Sequence, residues 1–267
     1  MRNFDAISGE LQQMCIHQSR PVDLTNAFDD GRHNRAKIGF VLLATEQTIE
    51  DDMMRLCPKG VGLHFTRAYI PDTITLDAFH AHADDLARAA STLLPDGSLD
   101  VICYACTSGS LVIGEDRVMA ALSQGAPDAK PTSLITAVIR ALRAIGARRI
   151  IVATPYLDEI NAQEAHYLQA AGFDVLDIQG LNLEKDSDMI RIRPDFIADF
   201  AASLDRPDAD AVFISCGAVR SLDIVDALEK RLGKPVICSN QAMMWDVLRR
   251  AGIQDRTTGF GRLLDRH

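Results

Sequence analysis

The sequence predicts an α/β protein made of two similar halves, each a doubly wound, mostly parallel sheet. Three observations lead there. From Lys37 onward, short apolar runs alternate with amphipathic segments, the pattern of βα units whose strands are buried on both faces. Gly146, Gly172, Gly233 and Gly252 each follow a helical pattern, where a left-handed residue closes a helix. Finally, the chain resembles itself. Asp100 to Cys106 matches Asp210 to Cys216, an Asp, an apolar strand and a Cys at the same offset. Ser133 to Gly146 matches Ser239 to Gly252, and Lys37 to Val41 matches Arg149 to Val152, in the same order and at nearly the same shift. A long unit present twice points to a duplicated domain, since a solenoid stacks several short ones.

Taken in order, residues 1–36 lack a sustained period and read as an N-terminal arm, ending in the polar run Asp29 to Arg35. The first α/β half is expected over 37–132, with strands at Ile38–Leu43, Gly62–Ala68 and Val101–Ala105 and a helix over Leu76–Leu94. The second half is expected over 133–238. Its strands are Ile150–Ala153, Phe173–Ile178, Ala211–Ser215 and Val236–Cys238, and its helices Leu134–Ile145, Asn161–Ala171, Asp195–Leu204 and Leu222–Leu232. Residues 239–267 carry a last helix, Ala242–Ala251, with room to pack back on the first half.

Composition narrows the function. The 267 residues carry a formal net charge of −9, which disfavours nucleic acid as a partner because phosphate contacts need clustered positive charge. A hydrophobic share of 47% with 24% charged residues is that of a globular protein. No stretch approaches the roughly 18 apolar residues of a membrane span. Arg2, Asp5 and Glu10 stand where a secretory leader needs an apolar core, so a cytoplasmic protein is expected. Six cysteines are too sparse for a disulfide scaffold and should be free thiols.

Ligands of open parallel sheets bind beyond the carboxyl ends of the strands. Cys106 ends one strand and is followed by Thr107-Ser108-Gly109-Ser110; Cys216 ends another and is followed by Gly217-Ala218-Val219-Arg220-Ser221. Both turns offer N–H groups and short hydroxyls to an anion, and a helix N-terminus beside either thiol should lower its pKa. Cys57, Cys103 and Cys238 fit buried structural thiols. The pair Cys103-x-x-Cys106 is a weak zinc or redox signal, with no second pair and no nearby His to complete a metal site. After the strand at Ile150, Tyr156 and Asn161 can place an O–H and an amide over the same crevice, and Thr45 and Gln47 occupy the equivalent turn of the first half. His166 reads as a surface or packing residue, Lys185 to Asp188 as a solvated loop, and Trp245 as core or interface.

The segments Cys106-Thr107-Ser108-Gly109-Ser110, Ala153-Thr154-Pro155-Tyr156 with Asn161, and Ser215-Cys216-Gly217-Ala218 resemble the aspartate/glutamate racemase superfamily. The likeness is nearest to its branch of maleate cis-trans isomerases, arylmalonate decarboxylases and ectoine-utilisation proteins, and runs from about Lys37 to Leu264. It implies two pseudo-symmetric α/β domains with the active site in the cleft between them, and no metal or organic cofactor. It further implies that Cys106 is a nucleophile or acid/base and Cys216 the opposing acid/base. Thr107, Ser108, Tyr156 and the backbone of Gly217 and Ala218 would hold a substrate carboxylate, with Asn161 assisting. Two departures stand out. Glu46-Gln47-Thr48 replaces the Ser-Asn-Thr turn of the isomerases, which puts maleate itself in question, and both cysteines are kept where the decarboxylases lack the first.

Two thiols on opposite sides of a small carboxylate suit proton transfer at the α-carbon, or addition to a cis double bond followed by rotation. The expected function is a cofactor-independent isomerase or racemase of a small carboxylic acid, in a homo-oligomer. The alternatives are a malonate-type decarboxylase using Cys216 alone, a non-catalytic protein that binds an anionic metabolite, and a thiol redox protein using Cys103 and Cys106.

Overall fold

The computed structural model describes residues 21–73 and 75–267; the first 20 residues of the expected arm, Cys15 among them, lie outside the described residues. Residues 32–267 form one unit. Within 21–31, local turns are held by the Asp23 carboxylate, which accepts from Thr25, and by Asp29, which accepts from the Gly31 N–H.

Eight strands form two sheets. β1 (Ala36–Leu43), β2 (Val61–Ala68), β3 (Val101–Tyr104) and β4 (Lys130–Ser133) make the first; β5 (Arg149–Thr154), β6 (Asp174–Gly180), β7 (Ala211–Ile214) and β8 (Val236–Cys238) make the second. The strand orders are β2-β1-β3-β4 and β6-β5-β7-β8, parallel throughout, so the two halves share one topology. The inner strands β3 and β7 are buried at every residue, as helices on both faces require. The matching aspartates have a job in this plan. Asp100 accepts the N–H of Lys37 at 2.8 Å and Asp210 that of Arg149 at 2.7 Å, so each locks the start of its inner strand to the neighbouring one.

The helices are α1 (Ile49–Leu56), α2 (Leu76–Ala83), α3 (Leu86–Ala90), α4 (Thr107–Ile113), α5 (Glu115–Gly125), α6 (Leu134–Ala144), α7 (Asp158–Ala170), α8 (Asp186–Met189), α9 (Pro194–Ser203), α10 (Val225–Leu232), α11 (Ser239–Arg250) and α12 (Arg262–Arg266). The single helix expected over Leu76–Leu94 is two, α2 and α3, interrupted at Asp84 and Asp85. The helix expected from Leu222 begins at Val225, because the chain first turns around Ser221. Strand β4 was not expected; its KPTS sequence has no apolar run, and Pro131 is tolerated because β4 is an edge strand.

Helices α6 and α11 occupy equivalent places after β4 and β8 and pack on each other. Helix α11 also contacts α1, β3 and β4 of the first half. The equivalent residues Arg140 and Asp246 meet across this pair at 2.6 Å, and Thr132 donates to Asp246 at 2.8 Å. One hydrophobic core therefore runs through both halves, from Phe40 and Leu134 to Phe213 and Val247, with Trp245 buried in it. Among the described residues no helix is long and apolar enough to cross a membrane.

Candidate active site

Beyond the carboxyl ends of β1, β3, β5 and β7 lies a small cavity, partly open to solvent. Cys106 and Cys216 both line it, together with Thr107, Ser108, Tyr156, Gly217 and Ala218. Seven of the residues expected at the site are therefore brought together, the two cysteines from positions 110 residues apart.

Cys106 is the N-cap of α4. Its extended backbone turns the thiol back over the first helical turn, where it accepts the Gly109 N–H at 3.2 Å and lies 3.6 Å from Ser108 Oγ. Gly109 is required by space: a side chain there would overlap the Tyr104 hydroxyl and lie 3.1 Å from Cys106 Sγ. No acceptor among the described residues meets the N–H of Thr107 or Ser108, the pair a helix N-terminus offers to an anion.

Cys216 has φ +90°, a conformation that costs a non-glycine residue about 1–3 kcal/mol. Its turn is held by Asn240, whose amide donates to the Gly217 carbonyl and to Asp52, each at 2.8 Å. Thr48 donates to the Ala218 carbonyl at 2.8 Å, so residues of the first half hold the turn of the second. A side chain at Gly217 would lie 2.7 Å from Ile49 Cδ1, so a larger residue there requires the Ile49 side chain to shift.

The expectation that helix N-termini lower both thiol pKa values is corrected by the burial of the site. Burial pushes Cys106 up to about 12, against the opposing pull of the Gly109 N–H and Ser108. Burial likewise pushes Cys216 well above the usual thiol range, followed by the charge of Asp186 and opposed by the Tyr156 hydroxyl. Desolvation of a buried thiolate outweighs a few fixed donors, so both groups are thiols at neutral pH. Tyr156, 4% exposed, is pushed far up by burial and by the Cys216 charge.

Three expected residues are not in the wall. Asn161 is buried behind it, accepting from Thr154 Oγ1 at 2.5 Å and donating to the Tyr156 carbonyl at 3.4 Å, so it positions the Tyr156 turn and does not face the crevice. Gln47 is exposed. Thr45 donates to Asp186 at 2.6 Å from outside the lining.

Two carboxyl groups that were not among the expected binding residues also line the cavity. Glu46 is 5% exposed, and its Oε1 accepts the N–H groups of Gln47, Thr48 and Ile49 at the start of α1. Burial raises its pKa to about 7. Asp186 is 4% exposed, and the reading of Lys185 to Asp188 as a solvated loop is corrected accordingly. The Asp186 and Ser187 N–H groups donate to Asp72, which pins this segment against the first half. Burial also raises the Asp186 pKa. A departure from the expected Ser-Asn-Thr turn was the signal for Glu46; nothing local distinguished Asp186. Among the described residues no group of three or more His, Cys, Asp or Glu side chains could hold a metal ion.

The sequence model of the family described as arylmalonate decarboxylase matches residues 59–264. The chain is 28% identical to arylmalonate decarboxylase of Bordetella bronchiseptica over 239 residues, covering 85% of this chain and 96% of that protein. It is 29% identical to maleate isomerase of Nocardia farcinica over 240 residues, with 85% and 95% covered. Among solved structures, a cysteine-to-serine variant of the Nocardia farcinica maleate cis-trans isomerase, carrying a covalently bound succinylcysteine intermediate, superposes with a TM-score of 0.81 at 26% identity. That match covers 87% of this chain and 99% of the other. A crystal structure of arylmalonate decarboxylase superposes with a TM-score of 0.72 at 26% identity, covering 85% and 98%.

Proposed function

The chain belongs to the arylmalonate decarboxylase family, and on that premise we propose that it is a cofactor-independent isomerase or racemase of a small carboxylic acid, with Cys106 and Cys216 as its opposed reacting groups. The observation that carries this reading is the presence of both thiols in the wall of one cavity, contributed by equivalent strands of two halves. The bound succinylcysteine in the Nocardia farcinica variant supports cysteine chemistry at such a site.

The chemistry derives from the wall. A substrate carboxylate accepts from the N–H groups of Thr107 and Ser108 and from the Ser108 hydroxyl. The Tyr156 O–H and the Gly217 and Ala218 N–H groups face charge that develops on that carboxylate as the α-carbon loses a proton, and such fixed donors are usually the largest catalytic contribution. One sulfur, as thiolate, takes the proton; the other, as thiol, returns one on the opposite face. In the isomerase variant of the same scheme, the thiolate adds to a cis double bond, the single bond rotates, and elimination returns the thiolate. Either route starts from one thiolate and one thiol, so ionisation of a buried sulfur is a step of the reaction. The five free thiols among the described residues are in keeping with a reducing, cytoplasmic location.

The test is a panel of small mono- and dicarboxylates, amino acids included, incubated with the protein in deuterium oxide and read by NMR for α-deuterium and for isomer formation. Cys106→Ser and Cys216→Ser should each lower turnover by at least about 10²- to 10⁴-fold, the usual contribution of a positioned acid or base. Full activity in either variant overturns the assignment. The likeness to arylmalonate decarboxylase favours one second reading, protonation by Cys216 after loss of carbon dioxide. Carbon dioxide release that survives Cys106→Ala would establish it.

A further inference from the structure

The cavity wall has an unbalanced charge. Glu46 and Asp186 both line it, each more than nine-tenths buried, and no Lys, Arg or His is among the lining residues. Glu46 places its three backbone donors on Oε1, and Asp186 accepts from Thr45 on Oδ2. The second oxygen of each has no partner among the described residues. The Arg67 guanidinium, which reaches the Glu46 carbonyl, is engaged by Glu50 at 2.7 Å. Two acids so placed repel a second carboxylate and repel each other; the charge of Asp186 already opposes ionisation of Glu46.

A cation between them removes that conflict. We propose that the substrate is an amino acid, its carboxylate on the Thr107 and Ser108 donors and its ammonium between Glu46 and Asp186. This rests on the reading of the cavity as the active site. The ammonium also bears on ionisation of the sulfurs. The charge of Asp186 favours the thiol form of both Cys106 and Cys216, so a bound ammonium that neutralises it eases formation of the thiolate. In the reaction, the Cα–H bond breaks as one thiolate takes the proton, and the electron pair enters the carboxylate as an enediolate. The S–H bond of the opposing thiol then breaks to form a new Cα–H bond on the other face. The ammonium is unchanged, and one thiol and one thiolate remain with their roles exchanged.

The experiment uses the full chain and measures binding by titration calorimetry and α-hydrogen exchange by NMR. The probes are the twenty proteinogenic amino acids in both configurations, set against maleate, succinate and lactate. We expect at least one amino acid to bind and exchange, and Glu46→Gln and Asp186→Asn each to raise its Kd and KM about tenfold or more, the weight of a charge-assisted hydrogen bond. Both variants should bind maleate or succinate more tightly than the parent, a gain that misfolding cannot produce. Exchange of an ammonium-free acid that depends on Cys106, with no amino acid bound, would overturn this inference and leave the proposed active site standing. Exchange of an amino acid that survives Cys106→Ser would instead remove the proposed function. Failure of every amino acid to bind below about 10 mM, or binding unaltered in both carboxyl variants, also overturns the inference.

Discussion

Cys106 and Cys216 end equivalent strands of equivalent halves, yet the chain holds them by different means. Cys106 has extended backbone, φ −143° and ψ 122°, and caps a regular helix whose Gly109 N–H it receives. Cys216 sits at φ +90°, and the chain bends through several turns before α10 begins at Val225. The first thiol lies beside Tyr104, sealed in the core, and the second beside Tyr156, which lines the cavity. Duplication supplied the two positions; the segment after each strand sets the surroundings of its sulfur. A strained turn sets Cys216 beside the Tyr156 hydroxyl and the Ala218 N–H, whereas a relaxed helix cap sets Cys106 beside the Gly109 N–H and the Ser108 hydroxyl.

The largest effect expected from this contrast is in rate. Tyr156→Phe removes the O–H beside Cys216 and should lower kcat by about 10²- to 10³-fold, as loss of one oxyanion donor does. Tyr104→Phe, its counterpart beside Cys106, should cost less than about tenfold because that hydroxyl does not reach the cavity. Equal losses would mean the two tyrosines act alike and the contrast is false.

Thiol reactivity gives a smaller effect. Both pKa values are raised, so the thiolate fraction is low at neutral pH and grows as pH rises, and for Cys106 it keeps growing toward about 12. Alkylation by iodoacetamide, followed by peptide mapping, should accelerate through pH 10 without a plateau and run at least about tenfold slower at pH 8 than for a free thiol. A plateau below pH 9 would show that helix N-termini outweigh burial after all.

The smallest effect is on stability. Replacing Cys216 by Gly relieves a positive φ, while replacing Cys106 by Gly relieves nothing, so Cys106→Gly should be the more destabilising by about 1 kcal/mol. For a chain this size that is about 2–4 °C in Tm, read by calorimetry. Similar losses in both variants would show that the Cys216 turn stores no strain.

Much of the fold was legible because buried parallel strands announce themselves. Ile38–Leu43, Val101–Ala105 and Ala211–Ser215 are apolar runs, and glycines mark the helix ends. Strand β4 was not, since Lys130-Pro131-Thr132-Ser133 becomes a strand only by pairing with Val101–Tyr104. The site divides the same way. Cys106, Thr107 and Ser108, at a helix start, and Cys216, Gly217 and Ala218, on a turn, lie directly after strands, and strand ends of a parallel sheet share one rim. Asp186 belongs to a segment of polar residues that local pattern assigns to solvent, and its burial comes from Asp72 and Thr45, 114 and 141 residues away in the chain.

The sequence by itself determined the duplicated α/β plan and the two cysteine turns, because strand burial and turn chemistry are local and repeat within the chain. Only the tertiary structure decided that Glu46 and Asp186 enter the cavity, that Asn161 and Gln47 do not, and that both sulfurs are held as thiols. Those outcomes depend on desolvation and on contacts between distant segments, which no window of sequence contains.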